Sequence, residues 1–222
     1  MSQKLIIAGD SAFAEIAYEY FTHDSDYQVV AFTVERDYLR KTELFGLPVV
    51  PYEELEERYE PAAHAFFAAA TYTQLNRLRT RLYLDAKRRG YAPASYISSR
   101  AFLWRNVQVG EHCFIFEDNT VQPFVTLGDN VVLWSGNHIG HHSRIGDNCF
   151  IASHAVVSGF CEIGANCFLG VNVTLVNNIR VGADCLIGAG ALVAKDVEED
   201  SLVKTTPGSS GPSARRYFKV KV

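Results

Sequence analysis

Four absences narrow what this 222-residue chain can do. A basic stripe is missing: 21 Lys and Arg stand against 25 Asp and Glu, a net charge of −4. Binding along a phosphate backbone needs such a stripe, so nucleic acid is not an expected partner. No apolar run is long enough to cross a bilayer. The first residues pass straight into Lys4-Leu5-Ile6-Ile7-Ala8-Gly9 with no charged-then-apolar leader, which gives the expectation of a cytoplasmic protein without a membrane partner. The five cysteines form no Cys-x-x-Cys pair, against a metal knuckle or a disulfide framework. The Gly-x-Gly-x-x-Gly fingerprint of dinucleotide folds is missing as well.

What is present is a beat of six. With 48% hydrophobic and 21% charged residues the chain can build one large or two small cores. From Ile97 to Val193 every sixth residue is Ile, Leu or Val, seventeen in all, a period belonging to neither helix nor ordinary sheet. A short strand and a sharp turn, repeated, produce it, winding the chain into a prism with one aliphatic side chain delivered inward per side. Gly110, Gly128, Gly146, Gly164 and Gly182 recur every 18 residues, so one coil has three sides. With the Asn or Asp that follows in most of these corners, the glycines are expected to supply the positive φ of tight turns. At ~4.8 Å per coil, residues 97–198 would make a column roughly 25–30 Å tall.

Cys113, Cys149, Cys161, Cys167 and Cys185 fall four residues after an apolar anchor, the phase otherwise held by residues such as Val125, Ser143 and Ala155. They read as small core fillers. Asn119 and Asn137 are polar exceptions at this inward phase, 18 residues apart, and are expected to satisfy each other on successive coils.

The first ninety residues follow another pattern: strand 4–8, helix 12–21, strand 28–33, a Pro-flanked segment 47–51, strand 65–69 and helix 74–89, the signature of a small parallel βαβ sheet. Phe13, Ile16, Ala17, Tyr20 and Phe21 stripe the first helix, and Leu75, Leu78, Leu82 and Ala86 the second. The expected domains are 1–92 and 93–222, the latter ending in a tail with Arg215, Arg216, Lys219 and Lys221. Residues 91–95 make a linker too short for independent motion. The turn Gly9-Asp10-Ser11 opens the first helix, where free N–H groups can hold a phosphate; a capping role for Asp10 or Ser11 is equally open.

Within the coil, the second and third residues after an anchor sit at a corner and face out. His141 and His142 take these places after Ile139, and His138 makes a third histidine within five residues. Imidazole accepts a proton near neutral pH, so this cluster is the candidate base. His112 falls in the Asn column and reads as structural; His154 lies on another corner without an evident partner. Gly159 lies one coil above His141. Gly170, Gly188, Ala189 and Gly190 leave the upper coils bare, where backbone N–H groups can meet a long ligand. For Gly170 and Gly188 a plain turn role is equally open.

The hexad array from Ile97 to Val197 resembles the left-handed parallel β-helix of the hexapeptide-repeat acyltransferases; its hand comes from the resemblance, since the general crossover rule favours the right. Joined to an α/β, Rossmann-like domain, the whole chain is similar to the sugar acyltransferases grouped with the sialic-acid O-acetyltransferases and the nucleotide-amino-sugar N-acetyltransferases. The resemblance implies a nucleotide-activated sugar on the N-terminal sheet, around Gly9, Asp10 and Ser11, with His138 also toward the substrate. It implies acetyl-CoA as cosubstrate along the coil, a homotrimer with active sites between subunits, a place in glycan or lipopolysaccharide biosynthesis, and no metal. In Ile139-Gly140-His141-His142-Ser143-Arg144-Ile145-Gly146-Asp147 it puts the general base at His141. An acidic residue commonly follows that base; here His142 stands instead. A second family histidine, near the thioester, falls on Phe150. Gly159 and Val171, with Ala189, fall where backbone lines the CoA arm, and an Arg early in the second helix becomes Asn76.

The expected reaction is direct acetyl transfer to a sugar amine, with N–H groups near Gly159 holding the oxyanion and no cysteine carrying the acetyl group. The alternatives are a sugar O-acetyltransferase and a non-catalytic trimeric module that senses a nucleotide. A zinc carbonic anhydrase on the same coil would need histidines two coils apart, but Arg105, Asn106 and Phe102 precede His141, His142 and His138 by 36 residues.

Overall fold

A computed structural model describes residues 2–205; the basic residues of the tail, Arg215, Arg216, Lys219 and Lys221, lie outside the described residues. The N-terminal apolar runs become β1 (Gln3–Ala8), α1 (Ala12–His23), β2 (Tyr27–Val34), β3 (Glu43–Leu44), β4 (Leu47–Pro51), α2 (Leu55–Arg58), β5 (His64–Ala68), α3 (Arg77–Arg88) and β6 (Ala92–Pro93). The sheet order is β3-β4-β2-β1-β5-β6, parallel except for the β3–β4 pair. β1 is buried from Leu5 to Ala8, the continuous apolar run of a parallel strand covered on both faces.

α3 starts at Arg77 rather than Gln74, because Gln74, Leu75 and Asn76 take left-handed φ of 53°, 48° and 64°. Three such residues cannot continue into a right-handed helix. Leu75 therefore drops off the apolar stripe, and the buried face of α3 is Arg79, Leu82, Tyr83 and Ala86.

From Tyr96 onward, two-residue strands recur every six residues and stack as three parallel sheets of seven, six and five strands. The first face runs from Tyr96–Ile97 to Leu202–Val203, the second from Phe102–Leu103 to Leu192–Val193, and the third from Gln108–Val109 to Arg180–Val181. Every anchor pairs with the anchor 18 residues on, as Val121 does with Ile139 and Ile139 with Val157. Anchors and the residues four later fill one core. All five cysteines are buried and free.

The corner glycines have a different cause from the one expected. Positive φ falls on the third residue after the anchor, as at Asn130 (59°), Asn148 (58°), Asn166 (60°) and Asp184 (59°), and not on the glycine two places earlier. The glycine is required for space. A Cβ on Gly164 would lie 2.6 Å from the backbone nitrogen of Ala183 in the next coil.

The Asn column also bonds coil to coil. Asn130 Nδ2 donates to Asn148 Oδ1 at 2.9 Å, and Asn148 Nδ2 to Asn166 Oδ1 at 3.2 Å. α3 docks along this ladder: Asn76 Nδ2 donates to the Asn148 carbonyl at 2.6 Å, and Arg77 pairs with Asp184. Inside the coil, Asn119 and Asn137 do not pair side chain to side chain. Asn119 Oδ1 accepts the Asn137 N–H at 3.3 Å and Asn137 Oδ1 the Ala155 N–H at 2.8 Å, so each seals the backbone of the coil above.

The first face is covered by the N-terminal sheet. Phe13, Phe21 and Phe67 share a core with Tyr96, Phe114, Phe116 and Phe150, with Phe67 and Phe114 ring centroids 5.1 Å apart. A polar clamp lies beside them. His112 Nε2 accepts the Ala68 N–H at 2.9 Å, and buried Arg79 donates to the carbonyls of Ala68 and His112. His112 Nδ1 meets Asn130 Oδ1 at 2.8 Å, which makes Nδ1 the protonated nitrogen of a neutral ring. Burial, and then the Arg79 charge, hold its proton affinity well below the ordinary histidine range.

Two outcomes are expected. Gly164→Ala should lower unfolding free energy by about 1–3 kcal/mol in urea titrations through overpacking. Gly190→Asn should change it by no more than about 0.5 kcal/mol, because Gly190 has open space and a φ of 71° that Asn adopts. Separately, an unfolded histidine gains a proton below about 6.5 while folded His112 does not. Stability should thus fall as pH drops below that value, with a His112 share approaching about 1.4 kcal/mol per pH unit. The same titration on His112→Asn should lack this share; identical pH slopes would mean that His112 is not held neutral.

Candidate active site

The corner 140–143 joins the second face to the third and carries His141 and His142, both exposed. Its backbone is pinned from below: the His141 N–H donates to Gln122 Oε1 at 2.9 Å and the His142 N–H to the Pro123 carbonyl at 3.1 Å. The two imidazoles meet Nδ1 to Nδ1 at 3.1 Å. The His142 ring stacks on Phe124 and on Phe160, centroids 4.6 and 4.8 Å away. His138 is half-buried on the second face, beside Thr120 and Val156. The structure thus brings His141 and His142 into contact and leaves His138 on the strand before them. His154 lies on the first corner over Gly136, whose Cβ would fall 2.5 Å from its Nδ1.

Gly159 seats the His141 ring. A Cβ there would lie 2.8 Å from His141 Cε1 and 3.0 Å from Nε2. Its N–H already donates to Asn177 Oδ1 at 3.0 Å, so the expectation of an oxyanion donor at Gly159 is corrected: that hydrogen is spent within the coil.

The other expected cofactor residues lie at a different corner. Phe150, Val171 and Ala189 line a groove of about 350 Å³ between the first and second faces, together with Tyr72, Trp134 and Phe168. Phe150 is 3% exposed and stacks between Trp134 and Phe168 at 5.8 and 5.9 Å. It gives the groove an apolar wall and no hydrogen bond. Among the described residues the N–H groups of Val171 and Ala189 meet no protein acceptor. One chain therefore does not bring Gly159 together with Phe150, Val171 and Ala189.

A second cleft, about 230 Å³, opens at the carboxyl ends of β1, β2 and β5, and Gly9, Asp10 and Ser11 line it as expected. Gly9 has φ 128° and a Cβ there would press on the Ala69 carbonyl at 3.1 Å. Ser11 holds the N-cap position without a side-chain capping bond, so the first N–H groups of α1 are not used up by a cap.

Sequence reasoning missed two charges here. Lys41 Nζ donates to the Asp10 carbonyl at 2.9 Å, putting a cation beside the phosphate-type turn. Glu35, paired with Arg81 at 2.9 Å, borders the cleft just past β2. An acid at the end of the second strand is the signal that ribose-binding sheets offer, and it was readable. Thr71 lines both this cleft and the aromatic groove, so the two communicate. Asn76 is turned away, into the Asn ladder.

Among the described residues no group of three His, Cys, Asp or Glu is placed to hold a metal, and no helix is long and apolar enough to cross a membrane.

The fold and its clefts define the class: an α/β domain docked on a parallel β-helix of hexapeptide repeats. Residues 124–159 and 160–195 each match the family model of the bacterial transferase hexapeptide (six repeats). A search of curated proteins by sequence gave no significant match.

Among solved structures, the chain is similar to a mutant of perosamine N-acetyltransferase from Caulobacter crescentus in complex with CoA and GDP-perosamine. Identity is 24% and the TM-score 0.80, over 90% of this chain and 92% of that one. It is similar to the acetyltransferase domain of PglB from Neisseria gonorrhoeae FA1090 in complex with acetyl coenzyme A, at 20% identity and TM-score 0.81, over 91% and 96%. WeeI from Acinetobacter baumannii AYE matches at 22% and 0.68, over 90% and 96%. At these identities the likeness establishes the fold, N-terminal domain included.

Gly159→Ala should displace the His141 imidazole, because the added methyl would overlap it. Side-chain resonances of His141 in histidine-labelled protein should shift while those of His154 stay in place. Unmoved His141 signals would show that its seat does not depend on Gly159.

Proposed function

We propose that the protein transfers an acetyl group from acetyl-CoA directly to a primary amine on a nucleotide-linked deoxy-amino sugar, with His141 as general base. The observation that carries this reading is the His141 seat: an imidazole on a rigid corner, its backbone pinned by Gln122, its ring lying over Gly159 and its Nδ1 held by His142. The proteins of similar fold described in complex with CoA, acetyl coenzyme A or GDP-perosamine support acetyl-CoA and a sugar nucleotide as the substrate pair.

Residues 1–92 hold the nucleotide, in the cleft of Gly9, Asp10 and Ser11, with Lys41 toward the diphosphate and Glu35 toward the ribose. Residues 93–222 carry out the transfer. The amine attacks the thioester carbon, the C–N bond forms, the amine proton passes to His141, and the C–S bond breaks to release CoA. Val171 and Ala189, with N–H groups open to the groove, line the CoA arm and replace Gly159 as candidate donors to the developing oxyanion. Since these residues and His141 occupy different corners, a second copy completes the site, as in a homotrimer with active sites between subunits. No acyl-enzyme forms, because the thiols are buried and burial pushes Cys113 up to about 11. The substrate pair fits a cytoplasmic enzyme of glycan assembly.

The amine acceptor follows from His142. An alcohol needs a stronger base, which an adjacent carboxylate would provide; a neutral amine attacks first and sheds its proton afterwards, so an imidazole beside an imidazole suffices. Purified protein, acetyl-CoA and a panel of nucleotide sugars should give N-acetylation with intersecting initial-rate lines. His141→Asn should cut turnover by ~10²–10⁴ while leaving acetyl-CoA affinity in place. Equal rates on a matched hydroxyl sugar would move the assignment to O-acetyl transfer. Nucleotide binding without turnover on any acceptor would leave a sensing module.

A further inference from the structure

Between residues 112 and 190 the left-handed corner position is held by Asn, Asp, Gly or His, with two exceptions: Phe124 (φ 65°) and Phe160 (φ 58°). Bulky residues rarely adopt this backbone. Burial does not explain them, because Phe124 is 59% and Phe160 51% exposed. They flank His142 in its own column, one coil below and one above. Interplanar angles of 27° and 18° make the three rings one stack. His141 stands across it, its ring at 87° to that of His142.

We propose that Phe124 and Phe160 are positioning residues that keep His142 edge-on to His141, and that neutral His142 accepts the Nδ1–H of His141. This leaves the Nε2 lone pair of His141 to take the substrate proton. The inference rests on the reading of His141 as the base. At 3.1 Å one Nδ1 must donate and the other accept. If His142 donated, neutral His141 would carry its proton on Nε2 and have no free lone pair there. Among the described residues no protein group bonds His141 Nε2, which lies on the Gly159 side of the ring. The stack fixes which edge of His142 is presented, since turning the ring would break both aromatic faces at once. His142 thus orients the base as a carboxylate would, without bringing a charge.

The test uses the full-length protein and four variants. In Phe124→Asn/Phe160→Asn the new residues suit the left-handed backbone, so the fold is kept. His142→Phe keeps a stack and removes the acceptor, His142→Gln restores an acceptor, and the fourth variant combines the Phe pair with His142→Phe. Imidazole nitrogen spectra should place the wild-type His141 proton on Nδ1 and show it moving toward Nε2 in the Phe-pair and His142→Phe variants. This readout needs no turnover.

In kinetics, both should lose about 10–100-fold in kcat with KM for acetyl-CoA unchanged. His142→Gln should recover most of the rate, and the combined variant should lose no more than His142→Phe alone. A wild-type His141 proton on Nε2, additive losses in the combined variant, or a fall in particle mass that tracks the Phe-pair loss would each overturn the proposal. If the tautomer result holds while wild type acetylates no acceptor, the clamp stands and the acetyltransfer reading falls.

Discussion

Backbone hydrogen bonding from one coil to the next sets the other dimensions of this molecule. Phe114 donates to Val131, Val132 to Cys149 and Phe150 to Cys167, each at 2.9 Å. Coils held this close leave no space for a Cβ at Gly128, Gly146 or Gly164. They also line up side chains 18 residues apart into columns. One such column is the aromatic row that meets the N-terminal sheet, another is the Asn ladder that receives α3, and a third is the Phe124–His142–Phe160 stack. Each is a consequence of stacking distance before it is a matter of function.

The N-terminal sheet depends on the same columns. Its last long strand, β5, ends at Ala68, whose N–H is taken by His112 and whose carbonyl is taken by Arg79. The residues that follow wall both the nucleotide-type cleft and the aromatic groove, and Thr71 belongs to each. The clamp therefore determines where the two clefts meet. Arg79 has no carboxylate partner in its clamp; its bonds go to carbonyls and its guanidinium lies 4.8 Å over the Phe67 ring.

The hexad, the inward phases, the corner histidines and the Gly9 turn were all legible in the sequence, because each repeats on a short period or follows directly on a strand. Cause was harder to read than position. A glycine kept for space and a glycine kept for positive φ look alike in sequence, and Gly146 is the first kind. Phe124 and Phe160 stood in the His142 column, yet an aromatic at an exposed corner gave no local sign of stacking across coils. Arg79 carried a charge at a helical position, which favours solvent until the clamp accounts for it. Leu75 matched the stripe of a helix that begins only after it. The bond from Gly159 to Asn177 spans a full coil, beyond any local motif.

The shared 18-residue spacing also governs how such a chain can change length. Adding or removing a whole coil above Ile187 would preserve every column beneath it, so growth there would proceed in units of a turn. A single-residue insertion near 130 would rotate all later corners by one phase, send anchors outward and part His142 from Phe124. An entire coil inserted between Phe124 and His142 would keep the core intact while separating that stack. The coil is therefore open to extension at one end and closed to it in the middle, and the closed region is the one that holds the histidine pair.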